Sequence, residues 1–316
     1  MLSAFSRTKL RRTLAAAAAL LLPLTAGCAG LPAADESPAA VESSGEAADP
    51  GALPDNEAAE LDAALHEYAD QTGADISAAV YETATGKAWY YNPSGSYLEA
   101  SLVKVPILLT LLRQATAENR ELTLEEEYLA VMMIEYSDNE ATTSLYQAVG
   151  GAPELARTYE LLGVTETQAS EIWGANPTGV EDQLKIARAV LDGVDWINGD
   201  LQAYAVELME NVDAGQRWGI GAGLSDGGAE VALKNGWLQD DDLAWDVGSV
   251  GFVRSSGAEY AVVVLTSGTS TMEDGVSVVE DVASVINAFE TTGSPGPPPA
   301  AGDTESPVWR AGAPEA

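Results

Sequence analysis

Histidine and cysteine are almost missing from this chain: His66 and Cys28 are the only ones in 316 residues. A Ser-His-Asp hydrolase needs a histidine beside its nucleophile, and His66 falls on the first predicted helix, ahead of any strand. The same scarcity excludes zinc chemistry built on several His, Asp or Cys ligands. One cysteine leaves no disulfide, so the fold rests on its apolar core. Basic residues are also few, 15 against 49 acidic ones, and the net charge of −34 repels nucleic acid and disfavours tight contact with an anionic lipid surface. An acidic, solvated surface suits a salty or cation-rich exterior without implying a specific partner. There is no phosphate-binding glycine loop, since the glycines between Gly215 and Gly228 lie in a loop ahead of a late strand. No internal repeat is evident, and no metal or cofactor is implied.

Residues 1–28 read as an export signal. Arg7, Lys9, Arg11 and Arg12 precede an apolar run from Leu14 to Leu24, and Thr25-Ala26-Gly27-Cys28 follows. The segment resembles a bacterial lipoprotein signal, which implies lipidation of Cys28 and a mature chain outside the cytoplasm, held to the membrane by its lipid alone. The usual pattern has Leu where Thr25 stands, and Leu24 lies one place early. Arg11-Arg12 leaves twin-arginine export open, and plain secretion is the alternative. Residues 29–54, rich in Ala, Pro, Ser, Gly and Glu, and residues 291–316, containing PGPPPAAG, lack apolar periodicity and read as a disordered tether and tail. Residues 55–290 suffice for one domain with a sizeable core, or two close-packed lobes, expected to work as a monomer.

Within that domain the order of elements is informative. Asn56 to Gln71 carries Ala59, Leu61, Leu65 and Tyr68 at helical spacing. Ile76–Tyr81 and Lys87–Tyr91 form a predicted hairpin around Glu-Thr-Ala-Thr-Gly. An apolar helix then runs from about Glu99 to Arg113, followed by helical segments near 123–136, 139–149, 153–162, 180–192 and 200–210. Strands return at Glu230–Leu238, Trp245–Val253 and Tyr260–Ser267, and a last helix spans about Met272 to Phe289. Strands at both ends around a helical middle predict an α+β fold: an antiparallel sheet built from both ends of the chain, flanked by helices, with an inserted all-helical lobe.

Three short motifs fall at the joints of that layout. Ser101-Leu-Val-Lys104 opens the apolar helix, so a hydroxyl and an amine share one face at its N-terminus. That pairing meets the needs of covalent catalysis, although an N-cap serine on a core helix reads the same way. Ser137-Asp138-Asn139 joins two helices, and Lys234-Asn235-Gly236 lies on a late strand. Singly these are ordinary capping and turn sequences. Together, in this order, they resemble the signature of the class A β-lactamases and penicillin-binding D,D-peptidases, over residues of about 55–290.

The resemblance implies roles. Ser101 is the expected nucleophile toward a β-lactam or a peptidoglycan-like amide, and Lys104 the expected base once burial or the nearby Lys234 lowers its pKa. Ser137 relays protons between the lysines and the leaving nitrogen, Asn139 and Asn235 contact substrate beside Gly236, and Lys234 attracts a substrate carboxylate. Asp138 braces its turn. The N–H groups of Ser101 and Trp237 form the oxyanion hole. Arg217 offers a second cation, with a structural pairing to an acidic residue as the plainer reading. Two departures concern substrate: Asn235 stands where Thr or Ser is usual, and Trp237, where a small residue is usual, is expected to narrow the cleft. A third concerns turnover. The family's Glu-x-x-Leu-Asn segment, whose glutamate activates the deacylating water, has no match between Leu161 and Gln183; Glu166 and Glu171 read as surface carboxylates. Slow deacylation follows. Three functions remain open: a weak β-lactamase, a D,D-peptidase or related amidase or esterase, and a binding or sensing module that is acylated without turnover.

Overall fold

The computed structural model describes residues 50–224 and 228–296. The predicted signal with Cys28, most of the tether and the tail from residue 297 lie outside the described residues. The chain begins with a two-residue strand β1 (Gly51–Ala52) and helix α1 (Asp55–Thr72), then the hairpin β2 (Asp75–Glu82) and β3 (Lys87–Tyr91). A short β4 (Tyr97–Leu98) leads into a 3-10 turn (Ala100–Val103) and helix α2 (Lys104–Ala117). Helices α3 (Leu124–Glu135), α4 (Asn139–Ala148) and α5 (Gly151–Leu162) follow, then β5 (Pro177–Thr178), α6 (Val180–Leu191) and α7 (Gly199–Glu210). The last part is β6 (Glu230–Gln239), β7 (Trp245–Arg254), β8 (Glu259–Thr269) and α8 (Met272–Thr292).

The main sheet has the order β1-β3-β2-β8-β7-β6, so both ends of the chain meet at the β2–β8 pair, as the alternation of strands and helices predicts. All its pairings are antiparallel except that of β1 with β3, which makes the sheet mixed. The predicted tether needs correcting at its end. Gly51 and Ala52 pair with Lys87 and Ala88, and Leu53 is buried, so folded chain reaches back at least to Gly51.

Apolar side chains cover both faces of the sheet. One face packs against α6, with α2 and α7 behind and beside it, and the other against α1 and α8. Helix α2 is the centre of the helical side: 11 of its 14 residues are buried, including Leu108, Leu109, Leu111 and Leu112. Truncating one such leucine to alanine costs about 2–5 kcal/mol. The segment Ala100–Ala117 is apolar enough to cross a membrane by composition alone, and core burial accounts for it here. Local signals set the helix limits. Thr123 and Glu126 form a reciprocal capping box at α3, and the Asn198 and Thr271 side chains cap α7 and α8.

Candidate active site

Ser101 does not sit in the first turn of a regular α-helix, as its sequence predicts; it lies in the 3-10 turn, and α2 starts at Lys104. The cause is the backbone before it. The Glu99 and Ala100 N–H groups donate to the carbonyls of Asn176 and Gly174, both at 2.8 Å, and Ala100 takes φ +47°, which is costly for an L residue. The fit is close on the other side as well: Gly174 has φ +86°, and a Cβ there would stand 3.0 Å from the Ala100 carbonyl oxygen. Ser101 is partly exposed, whereas Ala100, Leu102, Val103 and Lys104 are buried.

The two lysines converge on one hydroxyl. Lys104 Nζ lies 2.7 Å from the Ser137 carbonyl, 2.9 Å from Asn139 Oδ1 and 3.0 Å from Ser137 Oγ. Lys234 Nζ donates to Ser137 Oγ at 2.9 Å and to the Asn235 carbonyl at 3.1 Å. Both lysines are fully buried. Burial drives the Lys104 pKa down to about 7, with Asp138 pulling the other way. Lys234 is also pushed well below its ordinary value, by burial first and then by Lys104. A neutral Lys104 amine has two hydrogens, which the Ser137 carbonyl and Asn139 Oδ1 accept. That leaves its lone pair free to take a proton from a hydroxyl, and the Ser137 hydroxyl accepts from Lys234. The array can pass a proton along Lys234, Ser137 and Lys104.

Ser137 is held at φ +57°, and the residues after it explain how. The Asp138 side chain caps α4 by accepting from Ala141 N at 2.6 Å, and its own N–H donates to the Met132 carbonyl. Asp138 thus braces the turn that presents Ser137.

Strand β6 forms the facing wall. It is an edge strand of the sheet, and among the described residues no strand pairs with its outer side. A Cβ on Gly236 would lie 3.0 Å from the Ser101 and Leu102 nitrogens, so this position brings the strand against the Ser101 turn. Three sequence-predicted residues are turned away. Asn235 is fully buried, with Nδ2 donating to the Gln216 and Trp218 carbonyls at 2.8 and 2.9 Å, because strand alternation sends its side chain to the face opposite Lys234 and Gly236. The Trp237 indole follows the same alternation and packs on Trp218, with ring centroids 5.9 Å apart, instead of narrowing the cleft. The Arg217 guanidinium donates to the Glu210 and Val212 carbonyls at the end of α7; its structural pairing is with backbone, not with an acidic side chain.

The loop between α5 and α6 closes the remaining side. Its start is tied down by Asp182, whose carboxylate accepts the N–H groups of Thr165, Glu166 and Thr167. The Glu166 and Glu171 side chains are exposed. Trp173 covers Lys104 instead: its ring centroid is 5.4 Å from Lys104 Nζ, and its Nε1 donates to Thr143 Oγ1 at 3.2 Å. Sequence reasoning missed Trp173, which carries no motif, and also Glu99. The Glu99 carboxylate is fully buried two residues before Ser101, and nothing in its sequence context separates it from a surface glutamate.

The sequence matches the Beta-lactamase enzyme family over residues 59–128 and 120–289. The chain belongs to the β-lactamase enzyme family. No curated protein matches it. Among solved structures it is similar to PBP-A, at 20% identity and a TM-score of 0.64 over 77% of this chain and 99% of that one. It is similar to the TLA-1 extended-spectrum β-lactamase at 17% identity, with a TM-score of 0.66 over 74% and 99%. A β-lactamase from Sphaerobacter thermophilus gives 21% identity and a TM-score of 0.63 over 74% and 97%. These likenesses show the fold. A further match, a PBP-A variant 21% identical with a TM-score of 0.63 over 77% of this chain and 100% of that one, is described as an acyl-enzyme complex with penicillin G. Membership of the β-lactamase family makes serine hydrolase chemistry on a small-molecule substrate the expectation for this site.

Proposed function

We propose that this protein is a serine hydrolase that forms an acyl-enzyme on Ser101 with β-lactams or related amides and releases it slowly. The observation that carries the reading is the hydrogen-bonded line from Lys234 through Ser137 to Lys104, one helical turn from Ser101. A buried amine with its pKa near 7 is a competent base at neutral pH. Lys104 takes the Ser101 proton and passes it to Ser137 Oγ as Ser137 gives its own proton to the leaving nitrogen, while Lys234 keeps its proton and donates to the Ser137 oxygen. The N–H groups of Ser101 and Trp237 donate to the developing oxyanion, and Lys234 is the cation for a substrate carboxylate. Asn139 keeps Nδ2 for a substrate amide, since its Oδ1 is engaged by Lys104.

Slow release is supported by the loop. The exposed Glu166 and Glu171 offer no fixed base, and an indole, which cannot take a proton from water, lies over Lys104. That observation also favours a second reading, a D,D-peptidase or a penicillin- or peptidoglycan-sensing module on the same nucleophile. The protein is proposed to be a monomer and to work outside the cytoplasm, lipid-anchored through Cys28 or secreted. Labelling with a fluorescent penicillin tests the chemistry: wild-type protein is expected to become covalently tagged and Ser101→Ala to remain blank. Equal tagging of both would refute the assignment.

A further inference from the structure

Glu99 is a buried carboxylate that the chemistry above does not use. Its oxygens accept from Tyr159 Oη at 2.8 Å, Asn176 Nδ2 at 3.2 Å and Gln183 Nε2 at 3.4 Å. These donors come from α5, the covering loop and α6, so one side chain ties three segments to the turn that carries Ser101. The backbone adds to the same seam, through Glu99 N–H to Asn176 and Ala100 N–H to Gly174, while the Glu99 carbonyl accepts from Leu102 N–H at 3.0 Å. All three side-chain partners donate to it, which suits an ionised acceptor.

We propose that Glu99 is a positioning residue of this site: its ionised carboxylate holds the Ala100–Ser101 turn and the Trp173 loop in the geometry that acylation requires. The inference rests on the reading of Ser101 as nucleophile. Two features of the seam need such a hold, the Ala100 backbone at φ +47° and the close passage of Gly174 against it. The titratable groups facing Glu99 are Tyr159 on α5, Asp182 on α6 and Tyr146 on α4; burial raises the pKa of both tyrosines, helped by the charge of Glu99 at Tyr159 and of Glu171 and Glu99 at Tyr146, so they stay protonated. Burial pushes Glu99 itself up to about 7, against the pull of its three donors. Its ionisation is therefore incomplete at neutral pH, and the seam loosens as pH falls.

The test uses wild type, Glu99→Gln and Glu99→Asp, with two readouts. The first is the second-order rate of acylation by penicillin between about pH 5 and 8. Acylation needs neutral Lys104 and is about tenfold faster with Glu99 ionised, so between pH 8 and 5 the wild-type rate is expected to fall more steeply, by about tenfold in total, than that of Glu99→Gln, and that of Glu99→Asp to fall as in wild type. At pH 8, Glu99→Gln is expected to lose about tenfold in acylation rate. The second readout is hydrogen exchange in residues 172–178 of the unliganded protein, corrected for intrinsic pH dependence. Wild type is expected to exchange faster at pH 6 than at pH 8, and Glu99→Gln to exchange fast at both. Equal slopes together with pH-independent exchange in wild type would overturn the proposal. If penicillin does not acylate the protein, or Glu99→Gln does not fold, wild-type exchange decides: pH-independent protection of 172–178 overturns the role of Glu99, whereas absent acylation alone bears on Ser101.

Discussion

The indole of Trp173 lies over the amine of Lys104, 5.4 Å from ring centroid to Nζ. An amine under a ring is kept from water, which agrees with the burial that lowers its pKa. Replacing Trp173 with glutamate puts a carboxylate beside that amine. The expected result is an acyl-enzyme at least about tenfold shorter-lived, because a placed general base is typically worth 10² to 10⁴ in rate, roughly. Acylation near neutral pH is expected to slow at the same time, since the new charge raises the Lys104 pKa. Adduct half-life by mass spectrometry checks the first effect and stopped-flow acylation the second; an unchanged half-life would place Trp173 away from the path of the hydrolytic water.

Lys104 acts only in its neutral form, so acylation is expected to rise with pH through about 7 and to level off above it. The sign for stability is the same. Because the folded-state pKa lies below the ordinary value, protonating Lys104 opposes the fold, and its contribution is lost as pH falls toward about 7. Lys104→Met, which fills similar space without an amine, is expected to lower acylation by about 10² to 10⁴ while the melting temperature holds or rises. Acylation within a few-fold of wild type would make another group the base.

Gly236 is the point at which β6 touches the nucleophile turn. In Gly236→Ala the new Cβ meets the Ser101 and Leu102 nitrogens at 3.0 Å, so strand and turn must part by a few tenths of an ångström. Acylation is expected to drop by about 10² to 10³, the scale of losing one oxyanion donor. Unfolding stability is expected to fall by about 1–3 kcal/mol, as overpacking does. A normal acylation rate in a folded variant would remove β6 from the oxyanion site.

Asn235 holds the Gln216 and Trp218 carbonyls. Asn235→Ala is expected to destabilise the protein by about 1–3 kcal/mol through the stranded acceptors and to leave KM within a few-fold. A large rise in KM with stability intact would instead return this side chain to the substrate.

Most of the fold was legible because its helices and strands carry strong periodicity and explicit caps. Leu61, Leu65 and Tyr68 mark the buried face of α1, and Thr123 with Glu126 marks the start of α3. The six-residue stretch from Glu99 to Lys104 was legible in composition but not in shape, since its 3-10 geometry comes from bonds to Gly174 and Asn176, over seventy residues away. The motif residues Ser101, Lys104, Ser137, Asn139, Lys234 and Gly236 do gather at one site. Asn235, Trp237 and Arg217 do not place their side chains there. Strand alternation decides the first two, and proximity in sequence to a catalytic residue says nothing about the face a side chain takes. Glu99 and Trp173 escaped notice for a related reason: their importance lies in contacts with Tyr159, Gln183, Thr143 and Lys104, all distant in the chain.

The most direct test of the account is an intact-mass time course of the soluble fragment from residue 50 onward, mixed with excess penicillin. A single penicilloyl adduct that maps to Ser101 and persists for many minutes after free drug is removed is the expected result. Rapid hydrolysis of the drug with no accumulating adduct would contradict slow release, and neither adduct nor hydrolysis would contradict β-lactams as substrates of this site.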